Sequence, residues 1–287
     1  MSPRSPSSAA DAVAVTGNAV EADITIELPG RDPVKARTYG LRASGAQGAP
    51  LVLHFHGGTF SCGSLDNGRT VGRMLAKAGA VAVSLAYPLT PFPEPIEVGY
   101  AVLEWLYKQR VKLAGKGARV FLAGEEAGGN LAAALSLIAR DRAHPPLAGQ
   151  ILLSPMLDPC AGTRSLREAS ASTVDCRFAS GWQDYLRCPG DAVHPYAVPG
   201  ASMRLAELAP TLVLVGPDDP MRDEAMAYAE RLRKAGNPVT SSVLQSAANW
   251  PQALYDADSS CRACEAAVEQ QLRDFFSATP PAPQPPH

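Results

Sequence analysis

Residues Gly124-Glu125-Glu126-Ala127-Gly128-Gly129 stand between an apolar run, Ala118–Ala123, and a helical pattern opening at Asn130-Leu131-Ala132. Strand, glycine-rich turn and helix put residue 126 at the tip of a sharp bend, the setting of the G-x-S-x-G nucleophile elbow. A serine there, served by an imidazole, would attack acyl carbon. Glu126 cannot form an alkoxide, but its carboxylate can take or give a proton. A second group follows the apolar run Leu51–Phe55. In His56-Gly57-Gly58-Thr59 the two glycines lack the Cβ that would block the approach of a ligand to backbone N–H groups. Such N–H groups stabilise a developing oxyanion. A second carboxylate, Asp219, lies in Asp219-Pro220-Met221-Arg222-Asp223-Glu224.

The elements that must position these residues are legible as alternating patterns. Ala22–Leu28 and Val34–Leu41 suggest a β-hairpin. Runs at 51–56, 80–85, 119–123, 150–153, 211–215 and 239–244 read as strands. Helical spacing occupies 69–77, 96–108, 127–140, 224–234 and 262–276. The alternation predicts an α/β fold with a mostly parallel sheet of about eight strands and helices on both faces. Ligands bind beyond the carboxyl ends of such strands, where all the motifs fall. The expected organisation is a tail at 1–18, one domain over 19–277 with a cap-like insertion at 161–196, and a proline-rich tail at 278–287. A helical piece is expected near Trp182–Leu186.

Four segments, His56-Gly57-Gly58 with Gly63-Ser64-Leu65-Asp66, Tyr87-Pro88-Leu89-Thr90-Pro91, Gly124-Glu125-Glu126-Ala127-Gly128-Gly129-Asn130 and Asp219-Pro220-Met221-Arg222-Asp223-Glu224, resemble the hormone-sensitive-lipase branch of the α/β hydrolases, which includes bacterial acetyl esterases. The resemblance runs in family order over about residues 20–276 and implies an esterase scaffold. It assigns Asp219 as the triad acid and Gly57, Gly58 and Ala127 as the oxyanion hole. It also places Glu126 at the nucleophile position and, counting forward from Val239, Asn249 at the histidine position. His56 would brace the oxyanion loop. Cys62 and Trp250 are further pocket candidates, and His194 reads as a loop histidine.

The main expectation from these losses is a non-hydrolytic protein that binds a small acyl or ester-like molecule. Acid–base chemistry by Glu126 with Asp219 on a small carbonyl substrate is one alternative. A weak, atypical carboxylic-ester hydrolase using the hole and a carboxylate-activated water is another. Net charge is −2, which favours neither nucleic acid nor an anionic membrane as partner. No apolar run approaches the roughly 18 residues of a membrane span, and the N-terminus lacks a signal-peptide core, so a cytoplasmic protein is expected. A homodimer is possible on the resemblance. The six cysteines read as free thiols, Cys261 and Cys264 having C-x-x-C spacing without a second ligand pair. No metal or cofactor is expected.

Overall fold

The computed structural model describes residues 21–41, 48–160, 162–169, 175–245, 250, 254 and 262–279. Eight strands form one sheet: β1 Glu21–Ile26, β2 Val34–Tyr39, β3 Leu51–Phe55, β4 Val81–Leu85, β5 Val120–Glu125, β6 Gly149–Leu153, β7 Thr211–Val215 and β8 Val239–Val243. Their order is β1-β2-β4-β3-β5-β6-β7-β8. β1, β2 and β4 pair antiparallel, and every other pairing is parallel. The expected α/β architecture is therefore present. β3, β4, β5, β6 and β7 are buried along their whole length. Parallel strands covered on both faces need continuous apolar runs, and that is why they were legible.

The helices are α1 Arg69–Lys77, α2 Glu94–Ala114, α3 Ala127–Asp141, α4 Arg164–Ala169, α5 Asp175–Tyr185, α6 Pro189–Ala192, α7 Arg222–Lys234 and α8 Arg262–Ala278. In α1, Val71, Met74 and Leu75 recur at helical spacing and are buried against the sheet, where each side chain contributes about 1.5–3 kcal/mol. α1 and α8 cover one face, and α2, α3 and α7 cover the other. α3 is the helix behind the elbow. It is apolar nearly all round, with Leu131 through Ala139 buried, as befits a helix enclosed by the domain.

Between β6 and β7 the chain carries α4, α5 and α6. The expected helical piece is α5, which starts earlier and ends at Tyr185. α4 and α6 were not foreseen. Asn249 lies outside the described residues. Cys62, Cys160 and Cys188 are free thiols, but Cys264 is disulfide-bonded, which corrects the reading of all six as free. A cysteine count cannot separate these cases, because pairing depends on spatial approach. Among the described residues no helix is long and apolar enough to cross a membrane.

Candidate active site

The bend is built by close backbone approach. A Cβ on Gly124 would lie 2.2 Å from the Gly128 carbonyl oxygen, and one on Gly128 would lie 2.1 Å from that of Phe55. Only glycine fits at either position, so β5, α3 and the end of β3 meet tightly. Glu126, between them, has φ 48° and ψ −116°. For a residue with a side chain this conformation costs roughly 1–3 kcal/mol, and such strain clusters at working sites. Backbone bonds hold it: Glu126 N–H donates to Leu153 O at 3.1 Å, and Met156 N–H donates to Glu126 O at 3.0 Å.

Glu126 is fully buried, and its side chain does not cap α3. Its Oε2 accepts the Gly58 N–H at 2.9 Å, and its Oε1 accepts from Arg177 Nη2 at 3.0 Å. The elbow carboxylate therefore lies in the place where the loop after β3 offers an amide to an anion. Arg177 comes from α5 and keeps 41% of its side chain exposed. Nothing in the sequence pattern singles it out, since it lies 51 residues beyond its partner.

The loop itself divides its polar groups differently from expectation. Gly57 N–H does not face the hole: it donates to Glu125 Oε1 at 3.0 Å. Ala127 N–H is directed to Gly58 O at 3.3 Å. Of the three expected donors, Gly58 alone meets the Glu126 carboxylate. A pair of glycines after a strand shows that amides can be approached; it does not say which amide turns inward. His56 is packed into the loop. Its Nδ1 donates to Gly57 O at 2.9 Å, its ring stacks on Tyr87 at 4.3 Å, and its carbonyl accepts the Tyr87 hydroxyl at 3.0 Å. Burial lowers the His56 pKa, so the ring stays neutral.

Beneath the loop lies a buried chain missed in the sequence. Glu125 Oε2 accepts from His54 Nε2 at 2.6 Å, and His54 Nδ1 is bonded to the Ser84 hydroxyl. All three residues are fully buried. Ser84 has no access to solvent and cannot serve as a nucleophile.

Asp219 is also fully buried, in the loop after β7. It accepts the Met221 N–H at 2.8 Å and the Ser154 hydroxyl. Ser154 in turn accepts from the Trp250 indole N–H. An indole N–H can only donate, so the Ser154 proton is directed at Asp219. Burial raises the Asp219 pKa to about 7 against these hydrogen bonds, and the nearby Glu126 charge pushes the same way. Trp250 is thus a buried partner of the acid loop. Cys62 is exposed, with its Sγ 3.1 Å from Thr59 Oγ1. Among the described residues no group of three His, Cys, Asp or Glu could hold a metal. A cavity of about 390 Å³ beside Leu157, Glu224 and Tyr228 has neither Glu126 nor Gly58 in its wall.

A family description reading alpha/beta hydrolase fold matches residues 52–248. The chain belongs to the alpha/beta hydrolase fold family. This hydrolase-fold chain is 33% identical over 225 residues to esterase LipI of Mycobacterium tuberculosis, covering 76% of the chain and 70% of LipI. It is 33% identical over 240 residues to carboxylic ester hydrolase LipN of the same organism, covering 79% and 63%. A hyperthermophilic esterase from Pyrobaculum calidifontis superposes with a TM-score of 0.78 at 31% identity, over 90% of this chain and 86% of that one. These relatives overturn the expectation of a non-hydrolytic binder: proteins this similar are named esterases and carboxylesterases. That expectation equated loss of the serine with loss of hydrolysis.

Proposed function

We propose that the chain is a weak, atypical carboxylic-ester hydrolase that activates water with a carboxylate. Glu126, Asp219 and Asn249 stand at its triad-equivalent positions. The substrate class is small esters with short acyl groups, in keeping with relatives named acetyl-hydrolase and ethyl acetate hydrolase. One observation carries the reading: Gly58 N–H already meets a side-chain carboxyl oxygen at 2.9 Å. An amide so placed can serve a tetrahedral oxyanion equally well.

In this reaction Glu126 swings out of the hole on its three rotatable side-chain bonds, and the ester carbonyl oxygen takes the Gly58 N–H. Glu126 accepts a proton from water, whose oxygen bonds to the carbonyl carbon as the carbonyl π pair moves to oxygen. Collapse of the adduct breaks the bond to the alcohol oxygen, which takes the proton back from Glu126. Ester and water thus become acid and alcohol. Ionisation of Asp219, with its pKa near 7, adds a negative charge beside Glu126 and favours proton transfer away from water. The rate should therefore climb as pH rises to about 7 and then level.

Hydrolysis of p-nitrophenyl acetate tests the proposal. Turnover should exceed the protein-free rate, follow that pH profile, and fall by about 100-fold or more in Glu126→Gln. Rates equal to buffer, or an unaffected Glu126→Gln, would sink it.

A further inference from the structure

We infer that Arg177 is the second donor of the anion site, a catalytic residue supplied from α5 in place of the backbone amides that the oxyanion loop spends on itself. The catalytic part of this assignment rests on the hydrolysis proposed above; the anion-binding part does not. Around the bend, Gly57 N–H is committed to Glu125 and Ala127 N–H to Gly58 O. Of the three loop and elbow amides, that of Gly58 meets the Glu126 carboxylate, and a single neutral donor stabilises an oxyanion poorly. The Arg177 guanidinium meets the other oxygen of the same carboxylate, at 3.0 Å.

The Glu126 carboxylate is a stand-in for the reacting group. It carries two oxygens on one carbon, one toward Gly58 and one toward Arg177. The adduct of water with an ester carries three oxygens on one carbon, two of them the oxyanion and the added hydroxyl, and the acid it releases keeps that pair. When Glu126 withdraws, the same two donors face that pair. Guanidinium suits the task because it stays charged and presents fixed N–H groups.

α5 is seated to hold the guanidinium there. Trp182 and Tyr185 of this helix pack on Phe60, with ring centroids at 4.8 Å and 4.1 Å. Gly181 approaches the loop so closely that a Cβ would lie 2.1 Å from Thr59 O. Phe178 is buried, and the Arg177 guanidinium lies 4.6 Å from its ring centroid. The helix is thus anchored to the very loop that carries Gly58. Because Arg177 is partly exposed, added salt should weaken its contribution.

The experiment has a binding arm and a rate arm. In Glu126→Gly, whose new residue suits the positive φ, titration with sodium acetate is followed at the Gly58 amide by ¹H–¹⁵N NMR. Acetate should bind saturably, and adding Arg177→Gln should weaken it about tenfold or more, with Arg177→Lys between the two. In the otherwise intact chain, Arg177→Gln should lower kcat for p-nitrophenyl acetate by about 10–100-fold while KM changes little. Acetate binding indifferent to Arg177 would overturn the assignment. So would faster hydrolysis in Arg177→Gln, which would make the ion pair a mere latch on Glu126. Arg177-dependent acetate binding in a protein without ester turnover would support the anion site and defeat the hydrolysis reading alone.

Discussion

Two adjacent glutamates in this chain have opposite fates. Glu125 and Glu126 are both fully buried at the end of β5, one residue apart. Glu125 closes a strand in regular geometry, and its carboxylate is met by His54 and Gly57 from the fixed interior. Glu126 sits at φ 48°, and one of its partners is a half-exposed arginine from the segment between β6 and β7. The first carboxylate is scaffold: it ties the elbow to the oxyanion loop from below. The second meets the Gly58 amide, where the proposed reaction places a substrate oxygen. Burial alone does not distinguish them; backbone strain and the exposure of the partner do.

Removal of each should expose the difference. Glu125→Ala leaves His54 and the Gly57 N–H without their buried acceptor, so a loss of about 3–5 kcal/mol is expected. Glu126→Ala should cost less, about 1 kcal/mol, because its partner Arg177 is already 41% exposed and can turn to solvent. Urea denaturation of both variants checks this. Equal losses would erase the distinction.

Asp219 sharpens the contrast as a carboxylate with a measurable charge cost. Its pKa is raised from 3.8 to about 7, with burial the largest cause. The folded state therefore binds the proton more tightly than the unfolded chain. Stability is full below pH 3.8, falls as pH rises through about 7, and is flat above. The total is on the order of 4 kcal/mol. Asp219→Asn should be the more stable protein at pH 8 by that order, with the gap closing near pH 4. Its hydrolysis should lose the rise in rate near pH 7. Thermal melts at the two pH values read the first effect, and an advantage at pH 4 rather than pH 8 would contradict the sign.

The sheet was largely legible because each buried parallel strand is a mostly apolar run between turn residues. Thr211–Val215 was read to the residue, and Arg69–Lys77 likewise on its helical spacing. α4 and α6 escaped, being short and mostly polar, with no repeating apolar stripe. Glu126 was found because strand, glycine turn and helix mark the tip of the bend whatever residue occupies it. The direction of each loop amide was not readable: it depends on Glu125 reaching Gly57 across 68 positions. Arg177 and the Ser154–Trp250 pair were invisible for the same reason, since only folding brings them to the carboxylates.

The central claim is that the carboxylate at position 126 performs the chemistry. Glu126→Gly removes it while suiting the backbone, and sodium formate can supply a free carboxylate to the gap. Hydrolysis of p-nitrophenyl acetate by Glu126→Gly should be close to background and recover severalfold, saturably, as formate is added. A folded Glu126→Gly protein that stays inactive at every formate concentration, or hydrolyses as fast as the parent without it, would contradict the account.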